Sequence, residues 1–139
     1  MAITNFSIST ITDLKKVADF ISSLINDRFI FIFKGEIGTG KTTLIKEIVK
    51  TLGVEQSSSP SYNIINTYIT QQKQMIYHVD CFRINNLNEA YDIGLLEIID
   101  EEKTCFIEWP EKILNLLPAN CVNINIEIEN NLRKISITT

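Results

Sequence analysis

The chain has 139 residues, 45% of them hydrophobic, and a formal net charge of −4 at pH 7. This length predicts one domain, residues 1–139, with a single compact core. The acidic balance excludes a surface dominated by Lys and Arg, so we do not expect tight, direct binding to RNA or DNA.

The N-terminal segment leads into a predicted helix. The first ten residues, MAITNFSIST, lack the basic and apolar parts of a signal peptide, and no apolar run in the chain is long enough to span a membrane. We therefore expect a cytoplasmic protein with no membrane partner. Thr10 and Asp13 are typical of a helix start, and apolar residues with helical spacing continue to about Asn26.

A buried strand and a second helix follow. The run RFIFIFK (28–34) is β-branched and aromatic without alternation, which predicts a strand covered on both faces near the centre of a sheet. Apolar residues from Leu44 to Leu52 recur with helical spacing, and Gly53 is a typical C-terminal cap. The polar segment 54–61 then predicts an exposed loop.

The second half of the chain predicts two hairpins separated by short helices. The first hairpin is predicted from YNIINTYI (62–69) and QMIYHVD (74–80). One or two short helices broken at Gly94 are predicted in 85–100, followed by the strand TCFIE (104–108) and a short helix at 111–117. The second hairpin is predicted from alternating residues 122–128 and 135–137, with a turn at Asn130 and Asn131.

A glycine-rich loop, GEIGTGKTTL (35–44), joins the buried strand to the second helix. Gly35, Gly40, Lys41 and Thr42 match the phosphate-loop pattern of two glycines five residues apart, followed by lysine and a hydroxyl residue. Such a loop turns backbone N–H groups and the positive end of the helix toward a phosphate, and Lys41 adds a mobile charge from an exposed position. We predict a nucleotide site in which Thr42 binds Mg²⁺; a turn with incidental glycines is the alternative.

Two predicted strands end in a carboxylate. MIYHVD ends at Asp80 and TCFIE ends at Glu108, and ligands of α/β sheets collect at the ends of strands. Mg²⁺ beside a phosphate loop is usually held by a carboxylate as well as by the loop hydroxyl. Both residues are therefore candidates for the site, and a carboxylate that only solvates a strand end is the alternative for each.

Other chemically distinctive residues are given structural roles. His78 is the only histidine, and we predict a structural or surface role for it. Trp109 is predicted to pack, although an indole directly after Glu108 would lie close enough to report nucleotide binding. The cysteines are odd in number and widely spaced, which favours buried, reduced thiols over disulfides or a zinc site. They are Cys81, Cys105 and Cys121.

The rest of the sequence restricts the class of phosphate-loop protein. It contains no Asn-Lys-x-Asp motif for guanine recognition, which favours ATP. A small-molecule kinase needs an acceptor pocket and usually several arginines, whereas this chain has Arg28, Arg83 and Arg133 and no insertion long enough for a lid. A kinase and an ATP-sensing module that hydrolyses little or no ATP remain the alternatives.

The order of these motifs resembles the TsaE (YjeE) family of small bacterial ATPases. The matching segments are GEIGTGKTTL, SPSY (59–62), YHVDCFR (77–83), DIGLLE (92–97) and CFIEWPE (105–111). The EWPE and His-x-Asp-x-x-Arg elements are highly specific together, and the resemblance covers nearly the whole chain. Ser61 stands where the family usually has Thr, and Cys81 and Phe82 replace the commoner Leu and Tyr.

The resemblance implies a slow ATPase that supports threonylcarbamoyladenosine synthesis in tRNA. In that family TsaD, working with TsaB, transfers the threonylcarbamoyl group, and TsaE acts on their complex through nucleotide binding and hydrolysis. The implied partners are therefore TsaD and TsaB homologues, with ATP and Mg²⁺ as cofactors. tRNA would be reached only through the partner complex.

The resemblance also implies roles for individual residues. The phosphates would be held by Gly38, Thr39, Gly40, Lys41, Thr42 and Thr43. Thr42 and Glu108 would bind Mg²⁺, Asp80 would lie beside the nucleotide, and Lys41, Asp80 and Glu108 would be the catalytic set. Residues 59–62 would form a switch-like segment, and adenine contacts would come partly from the region before the first helix.

Arg133 matches an arginine that the family places near ATP from the last hairpin. Its parity with Ile135 and Ile137 predicts that it continues the buried face of its strand. Because the hairpin is terminal, we expect it to dock loosely and to order when a partner binds. The elements and the resemblance together predict an α/β, three-layer P-loop NTPase-like domain with a mixed central sheet flanked by helices.

Overall fold

A mixed seven-stranded sheet with helices on both faces forms the protein in the computed structural model, which describes residues 2–54 and 64–139. The strands are β1 (Ile3–Ile8), β2 (Ile30–Lys34), β3 (Ile65–Ile69), β4 (Met75–Asp80), β5 (Thr104–Glu108), β6 (Val122–Glu129) and β7 (Leu132–Thr138). The helices are α1 (Ile11–Ser22), α2 (Lys41–Thr51), α3 (Leu87–Asp92), α4 (Leu95–Asp100) and a 3₁₀ helix (Pro110–Leu116). The predicted α/β, three-layer architecture is confirmed.

Strand β2 lies at the centre of the sheet, as predicted. The strand order is β1-β7-β6-β2-β5-β4-β3, and β2 is parallel to both of its neighbours, β5 and β6. Phe31 and Phe33 point into the core under α1 and α2, whereas Ile30 and Ile32 point into the core under α3 and α4. Because both faces are covered, the strand is apolar without alternation from Ile30 to Phe33.

The parallel strands bring the predicted site residues to one edge of the sheet. Strand β4 is parallel to β5, which is parallel to β2, so all three end on the same side. The glycine loop leaves the end of β2, Asp80 ends β4, and Glu108 ends β5. The register pairs Asp80 directly with Glu108.

The terminal hairpin is an integral part of the sheet, so the expectation of a loosely docked hairpin is wrong. Asn130 and Asn131 form its turn with φ of 51° and 66°, the left-handed pair that a tight hairpin turn requires. Strand β6 pairs with β2, and β7 is enclosed between β6 and β1. The N-terminal strand β1, which sequence patterning did not reveal, pairs with β7 from Ile3 to Ile8 and fixes it in place.

The helix boundaries follow local sequence signals. Thr10 and Asp13 form a reciprocal capping box at the start of α1. The helix ends at Ser22, earlier than predicted, and a series of turns follows it. Gly94, at φ 80°, separates α3 from α4 as expected. Only Val54 of the predicted loop 54–61 lies within the described residues. The switch-like segment 59–62 lies outside them.

Within residues 2–54 and 64–139, none of the helices is both long enough and apolar enough to cross a lipid bilayer.

Candidate functional site

The glycine loop has a left-handed backbone at three glycines, and two of them, Gly35 and Gly40, also lie close to neighbouring residues. Gly35, Gly38 and Gly40 have φ of 156°, 83° and 103°. A Cβ atom on Gly35 would lie 2.7 Å from the backbone carbonyl oxygen of Ile126 in β6. A Cβ atom on Gly40 would lie 3.2 Å from Nε of Arg133. The loop therefore needs glycine both for its left-handed backbone and for the approach of the terminal hairpin.

The N-terminus of α2 is open toward a cavity. Gly40 is its N-cap residue, and within the described part of the chain no side chain caps the helix. By contrast, α1 has a complete capping box. The cavity, of about 440 Å³, is lined by residues of the loop and of the neighbouring strand ends, namely Ile37, Gly38, Gly40, Lys41, Thr42, Thr43, Asp80, Phe82, Glu108, Trp109 and Arg133. The uncapped amide groups and the helix dipole make this cavity suitable for an anion.

Lys41 is buried, which corrects the prediction of an exposed loop lysine. Its side chain is covered by Trp109, whose ring centroid lies 3.6 Å from Nζ, and the residue is only 5% exposed. Nζ donates to the carbonyl oxygen of Gly35 and, at 3.4 Å, to that of Glu36. Burial lowers the pKa of Lys41, while the carboxylates of Glu108 and two further acidic residues oppose this shift.

Trp109 packs, as predicted, and it also forms one wall of the cavity. Its ring centroid lies 5.1 Å from that of Phe82, which is half exposed at the cavity rim. Its backbone is in the left-handed region, with φ of 56°, immediately before Pro110. This turn places the indole over the ammonium group of Lys41, where it forms a cation–π contact.

Glu108 is a buried carboxylate with two polar side-chain partners, Thr42 and His78. The hydroxyl of Thr42 donates to its carboxylate, at 2.9 Å from Oε1 and 3.2 Å from Oε2. Nε2 of His78 lies 2.6 Å from Oε2. Glu108 is 2% exposed and His78 is 7% exposed. The structure thus brings together Thr42 and Glu108, the two residues that the family resemblance assigned to Mg²⁺. It also places His78, which had not been assigned to the site, next to Glu108.

Sequence reasoning predicted a structural or surface role for His78 and did not connect it with Glu108. His78 is buried, so it has no surface role, and it contacts a candidate site residue. One signal was available: His78 precedes Asp80 by two residues, so both side chains lie on the same face of β4. That face meets Glu108 in the neighbouring strand.

Asp80 lines the same cavity. Its Oδ1 accepts a hydrogen bond of 3.0 Å from the backbone N–H of Phe82, which orients the carboxylate at the end of β4. Cys81 follows directly and is buried, and burial raises the pKa of its thiol to about 12. The thiol is therefore protonated at neutral pH and is not a nucleophile. All three cysteines are free and buried, as predicted.

Arg133 lies beside the loop but is not buried. It shares a strand face with Ile135 and Ile137, which are buried, whereas Arg133 itself is exposed near the start of β7. Its Nε donates to the carbonyl oxygen of Thr39 at 2.9 Å. The parity argument is right about the direction of the side chain and wrong about its burial, because Arg133 lines the two cavities beside the loop.

A second cavity of about 440 Å³ adjoins the first. It is lined by residues of the β1–α1 junction, the loop and the terminal hairpin, namely Ile8, Ser9, Thr10, Ile11, Leu14, Gly40, Thr43, Ile128, Asn131 and Arg133. Gly40, Thr43 and Arg133 line both cavities. The region before the first helix, which the family resemblance connects with adenine, therefore lies next to the loop.

The side chains at the first cavity suit Mg²⁺. Thr42 and Glu108 offer hard oxygen donors that already lie within 2.9 Å of each other. Among the described residues, no group of three or more His, Cys, Asp or Glu side chains is arranged to hold a metal ion. A site with one carboxylate and one hydroxyl fits an ion that takes its other ligands from phosphate and water, as Mg²⁺ usually does.

Comparison with known proteins gives a consistent result. The family model for "Threonylcarbamoyl adenosine biosynthesis protein TsaE" matches residues 8–135. A Rickettsia conorii protein with the name tRNA threonylcarbamoyladenosine biosynthesis protein TsaE is 33% identical over 130 residues, which are 91% of this chain and 73% of the relative. The Haemophilus influenzae protein of the same name is 30% identical over 125 residues, 88% of this chain and 78% of the relative.

The fold also matches a solved structure. The crystal structure of YdiB from Bacillus subtilis aligns with a TM-score of 0.74 and covers 99% of this chain and 86% of YdiB. The two sequences are 23% identical over the alignment, so this likeness bears on the fold alone.

Proposed function

The chain belongs to the TsaE family, whose members take part in tRNA threonylcarbamoyladenosine biosynthesis, and we propose that it serves this process as an Mg²⁺-dependent ATPase. The observation that carries the proposal is the convergence of the uncapped N-terminus of α2, Lys41, Thr42 and Glu108 on one cavity. These groups are the ones that a triphosphate and its metal ion require.

In this proposal the loop residues Gly38 to Thr43 surround the phosphates. Lys41 would neutralise phosphate charge, and Thr42 and Glu108 would hold Mg²⁺, which would supply positive charge beside the transferring phosphoryl group. Asp80, next to Glu108 in the sheet, orients water or the metal's hydration shell. The second cavity takes the base, and Arg133, which lines both cavities, lies between base and phosphates.

We propose further that the protein acts on a complex of TsaB and TsaD homologues in the cytoplasm. The net charge of −4 argues against direct, tight binding of tRNA by this chain, so the partners would bind the tRNA. A slow ATPase that controls such a complex needs a low rate alone and a higher rate when bound.

Nucleotide choice tests the proposal. ATP is expected to bind at least as tightly as GTP, because the sequence contains no guanine-reading motif. The discrimination should be modest, since the second cavity is lined mainly by apolar and hydroxyl side chains. Calorimetric titration of both nucleotides with Mg²⁺, followed in parallel by Trp109 fluorescence, measures it. A clear preference for GTP would contradict the proposal.

Removal of the Lys41 charge should weaken ATP binding by about 10- to 100-fold, the loss expected for a charge-assisted hydrogen bond. Lys41→Ala is compared with Lys46→Ala, which removes an exposed lysine from the same helix. Because Lys41 is buried, thermal unfolding of each variant is recorded by circular dichroism. A folded Lys41→Ala protein with the affinity of the wild type would count against a phosphate role.

A further inference from the structure

His78 is the buried titratable side chain that the proposed function leaves without a role. Its Nε2 atom lies 2.6 Å from Oε2 of Glu108, and both side chains are almost completely shielded from water. An ionised carboxylate can only accept hydrogen bonds. When Glu108 is the carboxylate that binds Mg²⁺, as the proposed function requires, Nε2 therefore carries the hydrogen and donates it to Oε2.

The sheet holds this pair in a defined geometry. His78 stands opposite Phe106 in the register of β4 and β5, and Asp80 stands opposite Glu108. His78 is thus the diagonal neighbour of Glu108 on the same face, within the reach of a long side chain. Strand β4 lies between β3 and β5, so the backbone that carries the imidazole is paired on both sides.

The two oxygens of Glu108 are used differently. Oε2 receives the bond from His78 and a longer contact of 3.2 Å from Thr42. Oε1 receives the shorter bond of 2.9 Å from Thr42. A carboxylate fixed at one oxygen cannot rotate freely, so Oε1 stays directed toward the hydroxyl of Thr42 and the cavity.

We propose that His78 is a positioning residue that orients Glu108 for Mg²⁺. The inference rests on the proposed function, because it assumes that Glu108 and Thr42 hold the metal ion of a bound nucleotide. Hydrogen-bond partners of metal ligands typically change metal affinity or activity by about 10- to 100-fold when they are removed. His78 should therefore affect the metal-dependent part of ATP binding and leave the metal-free part unchanged.

Two amide substitutions separate positioning from general packing. The Nε2 atom of glutamine extends to about the position of the imidazole Nε2, whereas the amide of asparagine reaches only about as far as Nδ1. His78→Gln should keep the bond to Glu108, and His78→Asn should lose it. His78→Leu removes the donor altogether and fills the space with an apolar side chain.

The measurement is ATP affinity by calorimetry, with saturating Mg²⁺ and again with EDTA. The ratio of the two affinities is expected to fall about 10- to 100-fold in His78→Asn and His78→Leu. It should stay near the wild-type ratio in His78→Gln. Affinities measured in EDTA should be alike in all four proteins, and turnover is recorded at several Mg²⁺ concentrations as a second readout.

Each result decides the matter. An unchanged ratio in His78→Leu overturns the proposal, and so does an equal loss in His78→Gln and His78→Asn, which would indicate a packing role. If His78→Leu does not fold, the comparison of the two amides decides alone. Wild-type protein that binds no ATP would refute the proposed function, whereas wild-type binding with an indifferent His78 would refute only this inference.

Discussion

Replacement of Glu108 by glutamine is expected to lower ATP turnover at saturating Mg²⁺ and ATP by about 100-fold or more. Removing a group that stabilises charge in the transition state typically has an effect of this size. Metal-free ATP binding should change little, because Lys41 and the N-terminus of α2 remain. Glutamine keeps the shape of the side chain and an oxygen for the hydroxyl of Thr42. The variant therefore removes the charge without opening a cavity beside His78.

Glu97→Gln provides the matched control, since it makes the same change in an exposed carboxylate on α4, a helix that covers the opposite face of the sheet. Steady-state turnover and calorimetric affinity are measured for both variants. Asp80→Asn is included because Asp80 is paired with Glu108 in the sheet. Full turnover in Glu108→Gln together with a loss in Asp80→Asn would transfer the metal or water-positioning role to Asp80.

The sequence was sufficient to predict most of this site because its signals are local. The glycine spacing of the loop, the apolar run of β2 and the carboxylates at two strand ends are each visible within ten residues. Parallel pairing of β2, β4 and β5 then brings these segments to one edge of the sheet, as the general rule for α/β folds predicts.

The features that sequence reasoning missed depend on contacts between distant segments. Strand β1 is largely exposed, and it is a strand because it pairs with the edge of β7. Lys41 is buried because Trp109, far away in the chain, folds over it. His78 contacts Glu108 through the register of β4 with β5, which no local pattern encodes.

The same long-range pairing changes the interpretation of Arg133. The terminal hairpin is held between β1 and β2, and Nε of Arg133 is already bonded to Thr39 of the loop. A partner would therefore not need to fold the hairpin. If Arg133 serves the phosphates as proposed, a partner would need only to reorient a guanidinium group whose Nε is bonded to the carbonyl oxygen of Thr39.

We therefore expect the lone chain to hydrolyse ATP slowly and its turnover to rise when TsaB and TsaD homologues from the same source are added. An arginine that stabilises the transferring phosphoryl group contributes about 10³- to 10⁵-fold in rate. Arg133→Ala should thus lose most of the stimulated rate. Arg133→Lys should recover only part of it, because an ammonium group cannot reproduce the planar, bidentate contacts of guanidinium.

Lys134→Ala is the control for this series, since the neighbouring side chain points to the other face of β7 and bonds to Ser7. Turnover with and without the partners, and ATP-dependent co-elution of the three proteins, are the measurements. If Arg133→Ala keeps the stimulated rate, the partner complex supplies the charge itself. If the lone chain is already fast and neither partner binds or changes it, the accessory role fails, and the kinase alternative calls for a screen of small-molecule phosphate acceptors.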